Sequence, residues 1–434
     1  MSYSANGAAG SYTLTPSGLN ASNYNLTYQT GTYTIVPANQ LLVRVADGTS
    51  VYGASPSYNI TSAQYVMPDN SLIDLTNQLS LSGGLYSLND GASGTAHFAL
   101  GLSSPTLSAS GTPNVGVWNI GYSGATTTSP NFSNTLTMVG TQTITPRNLT
   151  VTATAANKPY DGTTTATVTL ADNRVSGDAV SVGQTSATFA SKNATPGQTV
   201  TVSGITATGA DIANYSLQNT STTTTADITQ KALSVSGLSA ANKIYDGSLS
   251  ASVLSYGALN GVVGSEDVQI NSTGASAAFA TKTVATAKPV SITGVVLGGA
   301  DMANYSLPST LTSTADITAK ALTVANTSVA NKVYDGTTTA TLSGGVLVGV
   351  ITADTNNVTL TQSAAFANKD AGTAKAVNIT STLAGTEANN YSLTQPTGLT
   401  ADISKAPLTV TAENAAKIFG DVNPVLTAKV SGFV

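Results

Sequence analysis

Three aspartates occupy one repeated place in this sequence, each held between a tyrosine and a glycine. They form the steps Tyr160-Asp161-Gly162, Tyr245-Asp246-Gly247 and Tyr334-Asp335-Gly336. Repeated carboxylates suggest two chemistries. As calcium ligands Asp161, Asp246 and Asp335 would need company, because calcium takes six to eight oxygens, usually from several acidic side chains. Asp211 and Asp301 of the "GADxANY" segments are the candidates for that company, and the third copy moves its acid to Glu387 in "GTEANNY". As turn formers the aspartates need nothing further. Glycine accepts positive φ, the aspartate side chain bonds nearby backbone N–H groups, and the tyrosine packs its ring into its own domain with its hydroxyl on a partner. With 21 acidic residues in 434, the turn is the preferred reading, and no metal or other cofactor is expected.

The remaining chemistry-bearing residues are few. His97 is the single histidine and belongs to no Ser-His-Asp or metal-ligand spacing, and no phosphate-binding glycine loop or HExxH occurs, so no catalytic residue is assigned. Trp118, the single tryptophan, reads as a core anchor. Lys158, Lys243 and Lys332 precede the repeated turns; they read as surface lysines, with an internal isopeptide bond to asparagine as the alternative. Tyr215, Tyr305 and Tyr391 open the recurrent "NYSL" steps. A tyrosine there, bonding through its hydroxyl to upstream backbone, matches the tyrosine-corner device of Greek-key sandwiches, and sugar stacking is the alternative. Asn214, Asn304 and Asn390 stand in Asn-x-Ser sequons but precede these tyrosines, which makes them poor acceptors of a glycan once folded.

The elements that must hold these residues are strands. Apolar residues alternate in "RNLTVTAT", "TVTVSG", "PVSITG" and "KAVNIT", and a period of two means a half-buried sheet. Composition agrees: there is no cysteine, charged residues are 9%, well under the ~25% of ordinary soluble domains, and threonine, valine and glycine abound. The net charge of −5 argues against nucleic acid or an anionic membrane as partner, and no apolar run approaches a membrane span. The opening residues lack the basic and apolar regions of a signal peptide; they read as the last strands of a domain, with an export signal expected upstream.

The whole pattern repeats. "ANKPYDGTTTATV" from Ala156, "ANKIYDGSLSASV" from Ala241 and "ANKVYDGTTTATL" from Ala330 place their tyrosines 85 and 89 residues apart, a period too long for a solenoid and right for a small domain. Each copy continues through a "FAxK" step (Phe189, Phe279, Phe366), the "NYSL" step, and a closing Ile228, Ile317 or Ile403. These units resemble YDG domains. Two flanking segments, "VADGTSVYGASPSYNI" from Val45 and "KIFGDVNPVLTAKVSGFV" from Lys417, resemble the related MBG domains. In the second, Phe419 replaces the usual tyrosine.

The expected organisation is therefore 1–37, the C-terminal part of an MBG-like domain; 38–146, an MBG-like domain; 147–230, 231–319 and 320–406, three YDG domains; and 407–434, the start of another MBG-like domain. An all-β fold is expected, as a tandem array of small immunoglobulin-like β-sandwich domains forming an elongated rod, with β-grasp-like repeats as the alternative. The resemblance implies a stalk or spacer of a large secreted adhesin of the filamentous haemagglutinin type, on the cell surface of a Gram-negative bacterium, serving adhesion or biofilm formation. Host glycan, matrix polysaccharide or a surface protein would be bound through the parent protein. The segment itself is expected to be a monomeric rod that inserts in no membrane. The alternative is a carbohydrate- or protein-binding module, for which 38–146 is the candidate because it alone departs from the repeat.

Overall fold

The structure, a computed structural model, describes residues 8–91, 94–128, 131, 133 and 135–434. Over these the chain is all-β. The helical elements are single 3₁₀ turns, such as Ile212–Asn214, Met302–Asn304 and Ala388–Asn390, each set immediately before an "NYSL" tyrosine. The helix that a β-grasp would need is absent among the described residues, and no helix there is long and apolar enough to cross a membrane. By packing, the chain divides into two units, Met1–Lys158 with Thr163–Ile228, and Pro159–Gly162 with Thr229–Val434.

In the first unit, residues 38–146 build two sheets. One has four strands in the order Leu136–Val139, Leu41–Val45, Ile60–Val66, Leu72–Asp74. The other has six, in the order Gly48–Val51, Thr141–Thr145, Gly116–Thr127, Thr95–Leu102, Leu85–Asn89, Ser80–Ser82. The period of two sends Leu41, Val43, Ala63, Ala96 and Phe98 into one core, where Tyr86 stacks on Phe98 at 5.8 Å between ring centroids.

The repeats share one plan. In the second unit it is a four-stranded sheet ordered Lys243–Ile244, Thr310–Thr318, Ala285–Thr293, Ser276–Phe279, and again Lys332–Val333, Thr400–Ser404, Gly372–Ala384, Thr359–Phe366. In the first unit Ser221–Thr229, Thr195–Ser203 and Ser186–Phe189 lie in the same order. The short strand carrying the motif lysine runs parallel to the strand carrying the closing isoleucine, with Lys243 opposite Ile317 and Lys332 opposite Ile403. Alternation along a strand cannot reveal such a pairing, because it reports the face of a residue and not its neighbour.

Each long central strand is interrupted near its start. The register slips between Thr195 and Gln198, Ala285 and Lys288, and Gly372 and Lys375, and one residue at each slip is left-handed: Gly197 (φ 62°), Ala287 (φ 48°) and Ala374 (φ 45°). The freed N–H donates at 2.7 Å to the aspartate of the closing "ADI" segment, Asp227, Asp316 or Asp402. That aspartate's own N–H donates to the motif asparagine, Asn157, Asn242 or Asn331. The "ADI" and "AN" residues recur because a bulge leaves a backbone donor that a side chain must satisfy.

Candidate functional site

The site is built from the tyrosines, which the fold places where a single-domain reading does not. Tyr52 of "SVYG" is wholly buried, yet its hydroxyl donates at 2.6 Å to Asp178, which lies beyond the end of its own domain in the first repeat. Tyr215 donates to the same Oδ2 at 2.5 Å and accepts the N–H of Val175 at 2.8 Å. The two rings meet edge to face, 5.3 Å apart at 74°. Ser108 donates to the other carboxylate oxygen at 2.9 Å. One buried carboxylate is thus shared by a tyrosine from the preceding domain and the "NYSL" tyrosine of its own.

The second unit holds the arrangement twice. Tyr160 and Tyr305 donate at 2.5 Å to the two oxygens of Glu266, and Val263 N–H donates to the Tyr305 hydroxyl at 3.0 Å. Tyr245 and Tyr391 donate at 2.9 and 2.7 Å to Oδ2 of Asp354, and Ile351 N–H donates to Tyr391 at 3.2 Å. Ring pairs again stand edge to face, at 5.4 Å in both cases. A cation joins the last joint: the Lys282 ammonium, from "FATK" of the preceding domain, lies 3.2 Å from Glu387 and 3.6 Å from Asp354. The "NYSL" asparagines reach back across the same joints. Val115 donates to Asn214 and Val284 to Asn390, each N–H at 2.9 Å.

This geometry sets the electrostatics. Burial alone would raise the Asp178 carboxyl, but the hydroxyls of Ser110, Tyr215, Tyr52 and Ser108 outweigh it and hold it at about 2. Asp354 is lowered likewise, burial being outweighed by Tyr391, Tyr245 and Lys282. On the other side of each bond, burial and then the carboxylate push Tyr305 and Tyr391 up to about 12, and Tyr215 and Tyr245 up as well. The joint is a carboxylate kept ionised between phenols kept neutral.

The Tyr-Asp-Gly aspartates lie elsewhere. Asp246 accepts the N–H and hydroxyl of Ser248, and Asp335 those of Thr337, all at 2.9 Å, as a tight turn requires. Gly162, Gly247 and Gly336 take the left-handed φ of 79°, 75° and 77°. The motif lysine completes the turn. Lys243 Nζ lies 2.8 Å from Asp246 and donates to the carbonyls of Ser248 and Ser250, and Lys332 treats Asp335, Thr337 and Thr339 alike. Both ammonium groups, and that of Lys158, sit over the "FAxK" phenylalanine at 5.3 to 5.5 Å. The Lys332 bond holds Asp335 at about 2. These lysines are therefore folded into the turn rather than extended as surface side chains, because its oxygens and the ring together replace water around the charge.

The acids weighed as calcium partners have other bonds. Asp211 accepts the N–H groups of Ala179 and Ala109, Asp301 that of Asp267, and Glu387 the Lys282 ammonium. No three His, Cys, Asp or Glu gather into a metal-binding group among the described residues. His97 Nδ1 lies 2.7 Å from Ser87 Oγ on neighbouring strands, and Trp118 donates to the Asn114 carbonyl at 2.8 Å beside the core of Tyr52. Tyr334 is half-buried against the core of its own repeat, and no carboxylate accepts its hydroxyl among the described residues.

Sequence reasoning missed the residues at the centre of the joint, Asp178, Glu266 and Asp354, and the bridging Lys282. A signal for the acids was present: each precedes its "NYSL" tyrosine by 37 or 39 residues. The surrounding residues differ in every copy, which hid it.

Comparison with known families adds two matches. The model described as the YDG domain matches residues 145–225, 229–313 and 318–398, and the one described as the MBG domain (YGX type) matches residues 408–434. No protein of curated function matches the chain.

Proposed function

This chain belongs to the YDG domain family, and from that premise we propose that it is a spacer: a stalk segment that carries a binding region of a secreted bacterial adhesin away from the cell. YDG and MBG domains are found in surface adhesin-like proteins and are not enzyme families. The observation that carries the reading is the shared carboxylate. An ionised group out of water must be paired, and Asp178 and Asp354 find part of their pairing only in the preceding domain. A joint of that kind resists bending, which a stalk needs and a freely tethered binding module does not. The proposed setting is the extracellular face of a Gram-negative bacterium, with adhesion or biofilm formation carried out by the parent protein.

Small-angle X-ray scattering tests the spacer. A single globule of this length would have a radius of gyration of about 22 Å; a stalk built of domains about two strand lengths long gives roughly twice that. The compact value would end the proposal. The second reading, a glycan- or protein-binding module in residues 38–146, draws support from the exposed Leu72, Leu81, Val117 and Tyr122 of that domain. A glycan array probed with the whole chain and repeated with Tyr122→Ala separates the two, since a spacer gives no signal to lose.

A further inference from the structure

The joint of Tyr52 and Asp178 departs from the later joints on one face. A cation follows the threonine that ends each domain's last strand by two residues: Arg147 after Thr145, Lys231 after Thr229 and Lys320 after Thr318. The residue of the motif strand opposite that threonine is apolar, Val51 on Thr145 and Ile244 on Thr318. Asn148 comes next in the first case, and Ala232 or Ala321 in the others. Asn173 stands two residues before Val175, whose N–H binds the "NYSL" tyrosine; Gly261 and Gly349 stand two before Val263 and Ile351. Arginine, asparagine and asparagine thus replace lysine, alanine and glycine.

The substituted residues meet in space. Val51, Pro146, Arg147, Asn148 and Asn173 line a cavity of about 300 Å³ open to solvent, at the small end of the roughly 300–1,000 Å³ that small-molecule sites span. Asn173 is fixed as one wall, since its Oδ1 accepts the Thr150 N–H at 2.9 Å and its Nδ2 donates to the Asn148 carbonyl at 3.2 Å. Val51, 47% exposed, and Pro146 supply an apolar side.

Among the described residues nothing accepts a hydrogen bond from the Arg147 guanidinium, and its Nε is closed off from water without a partner. Nη1 lies 3.6 Å from where a Cβ on Gly53 would stand, so the glycine is what admits it. Neither Lys231 nor Lys320 comes within 4 Å of that point on the corresponding Gly162 or Gly247. The acid of the adjoining strand, Asp172, is already gripped through both oxygens by Arg174. The Asn148 side-chain amide is likewise unpartnered among the described residues. A desolvated cationic donor left without an acceptor costs stability, and an anionic ligand would offset that cost.

We propose that this cavity binds an acidic sugar residue by its carboxylate, as a uronic-acid polysaccharide would present it. The planar fork of Arg147 takes the carboxylate through two N–H groups, where a lysine would offer only a point charge. The Asn148 amide, donor and acceptor at once, meets a ring hydroxyl. The C–H face of the ring rests on Val51 and Pro146, and the open side lets the saccharide chain continue. The site belongs to the joint and not to the face around Tyr122, so its binding survives Tyr122→Ala and is compatible with a spacer.

The arginines of the chain are Arg44, Arg147 and Arg174, so the whole chain labelled with nitrogen-15 at arginine alone shows each guanidinium Nε–H separately by NMR. Glucuronate, added as a concentration series at constant pH and ionic strength, is expected to move the signal that Arg147→Lys removes, with saturation. Glucose should move no signal, and acetate should move that of Arg147 far less. Arg147→Lys and Asn148→Ala install residues that the later joints already carry, so the fold is kept. Each should weaken glucuronate binding at least about tenfold, read by saturation transfer to the sugar. An Arg147 signal that glucuronate leaves in place, or that acetate or glucose moves as strongly, overturns the proposal, as does undiminished glucuronate binding in Arg147→Lys.

Discussion

Tyr245 and Asp354 lie 109 residues apart, in consecutive repeats, and are joined by a hydrogen bond of 2.9 Å with both residues about 1% exposed. A carboxylate so placed has lost its water, and its charge must be met by donors. Tyr391 from its own repeat, and Tyr245 and Lys282 from the preceding one, supply them. The preceding domain is therefore part of the solvation shell of the next, which couples their stabilities.

Removing that donor has a graded cost. Tyr245→Phe keeps the ring and leaves Asp354 one donor short, which costs about 1–3 kcal/mol. Tyr245→Ala also deletes a buried ring, for about 3–5 kcal/mol. Both losses should appear in the repeat of Asp354 as well as in that of Tyr245, by hydrogen exchange resolved along the chain. Protection lost in the Tyr245 repeat alone would contradict the coupling.

Acid should weaken the first joint late. Asp178 is held at about 2 from an ordinary 3.8, a depressed carboxyl, so its contribution is complete above the ordinary value. It is lost as the pH falls from about 4 towards 2. Denaturant unfolding followed over that window should show the fall in the native chain and a flatter profile in Asp178→Asn.

Alkali acts on the opposite partners. Tyr305 and Tyr391 are raised from 10.0 to about 12; the neutral phenol is favoured by folding, so this stabilisation is complete below pH 10 and disappears as the pH climbs from 10 to 12. Phenolate absorbance should accordingly show tyrosines that ionise only with unfolding, and ionisation of every tyrosine at its ordinary value with the fold intact would refute the assignment.

Calcium should leave the repeats unmoved. The Asp246 and Asp335 oxygens that face the turn already hold a lysine ammonium at 2.8 Å, and a divalent ion would have to displace it. Millimolar calcium or a chelator is expected to leave the melting temperature unchanged to within about a degree, where 1 kcal/mol of binding would shift it by several. A calcium-dependent rise abolished in Asp246→Ala and Asp335→Ala would restore those aspartates as ligands.

The left-handed bulge offers a gain. Ala287 and Ala374 sit at φ 48° and 45° where the first repeat has Gly197. A left-handed residue with a Cβ costs about 1–2 kcal/mol, against about 0.5–1 kcal/mol of extra backbone entropy for glycine. Ala287→Gly and Ala374→Gly should each stabilise by about 0.5–1 kcal/mol in chemical denaturation. Gly197→Ala should destabilise by a like amount, since nothing lies within 4 Å of the added methyl and the cost is backbone strain alone.

How much was legible follows from the range of each interaction. The Asp246–Gly247 turn, the buried Val290 and Ile292, and the all-β repeat were readable because each rests on residues one to four apart, where propensity and alternation act. The roles of Asn242 and Asp316 at the bulge were visible only as recurrence; what they bond to is a backbone N–H on another strand.

The sequence by itself determined that this is a tandem series of like β domains, because repeated local patterns fold alike wherever they stand. Only the tertiary structure decided that Tyr52 and Tyr245 face across the joints while Tyr334 packs against the core of its own repeat. A ring bound for its own core and a ring bound for a neighbour's have the same periodicity and the same flanking turn. What separates them is which buried carboxylate their hydroxyl can reach, and for Tyr52 and Tyr245 that group lies more than a hundred residues away in the next domain.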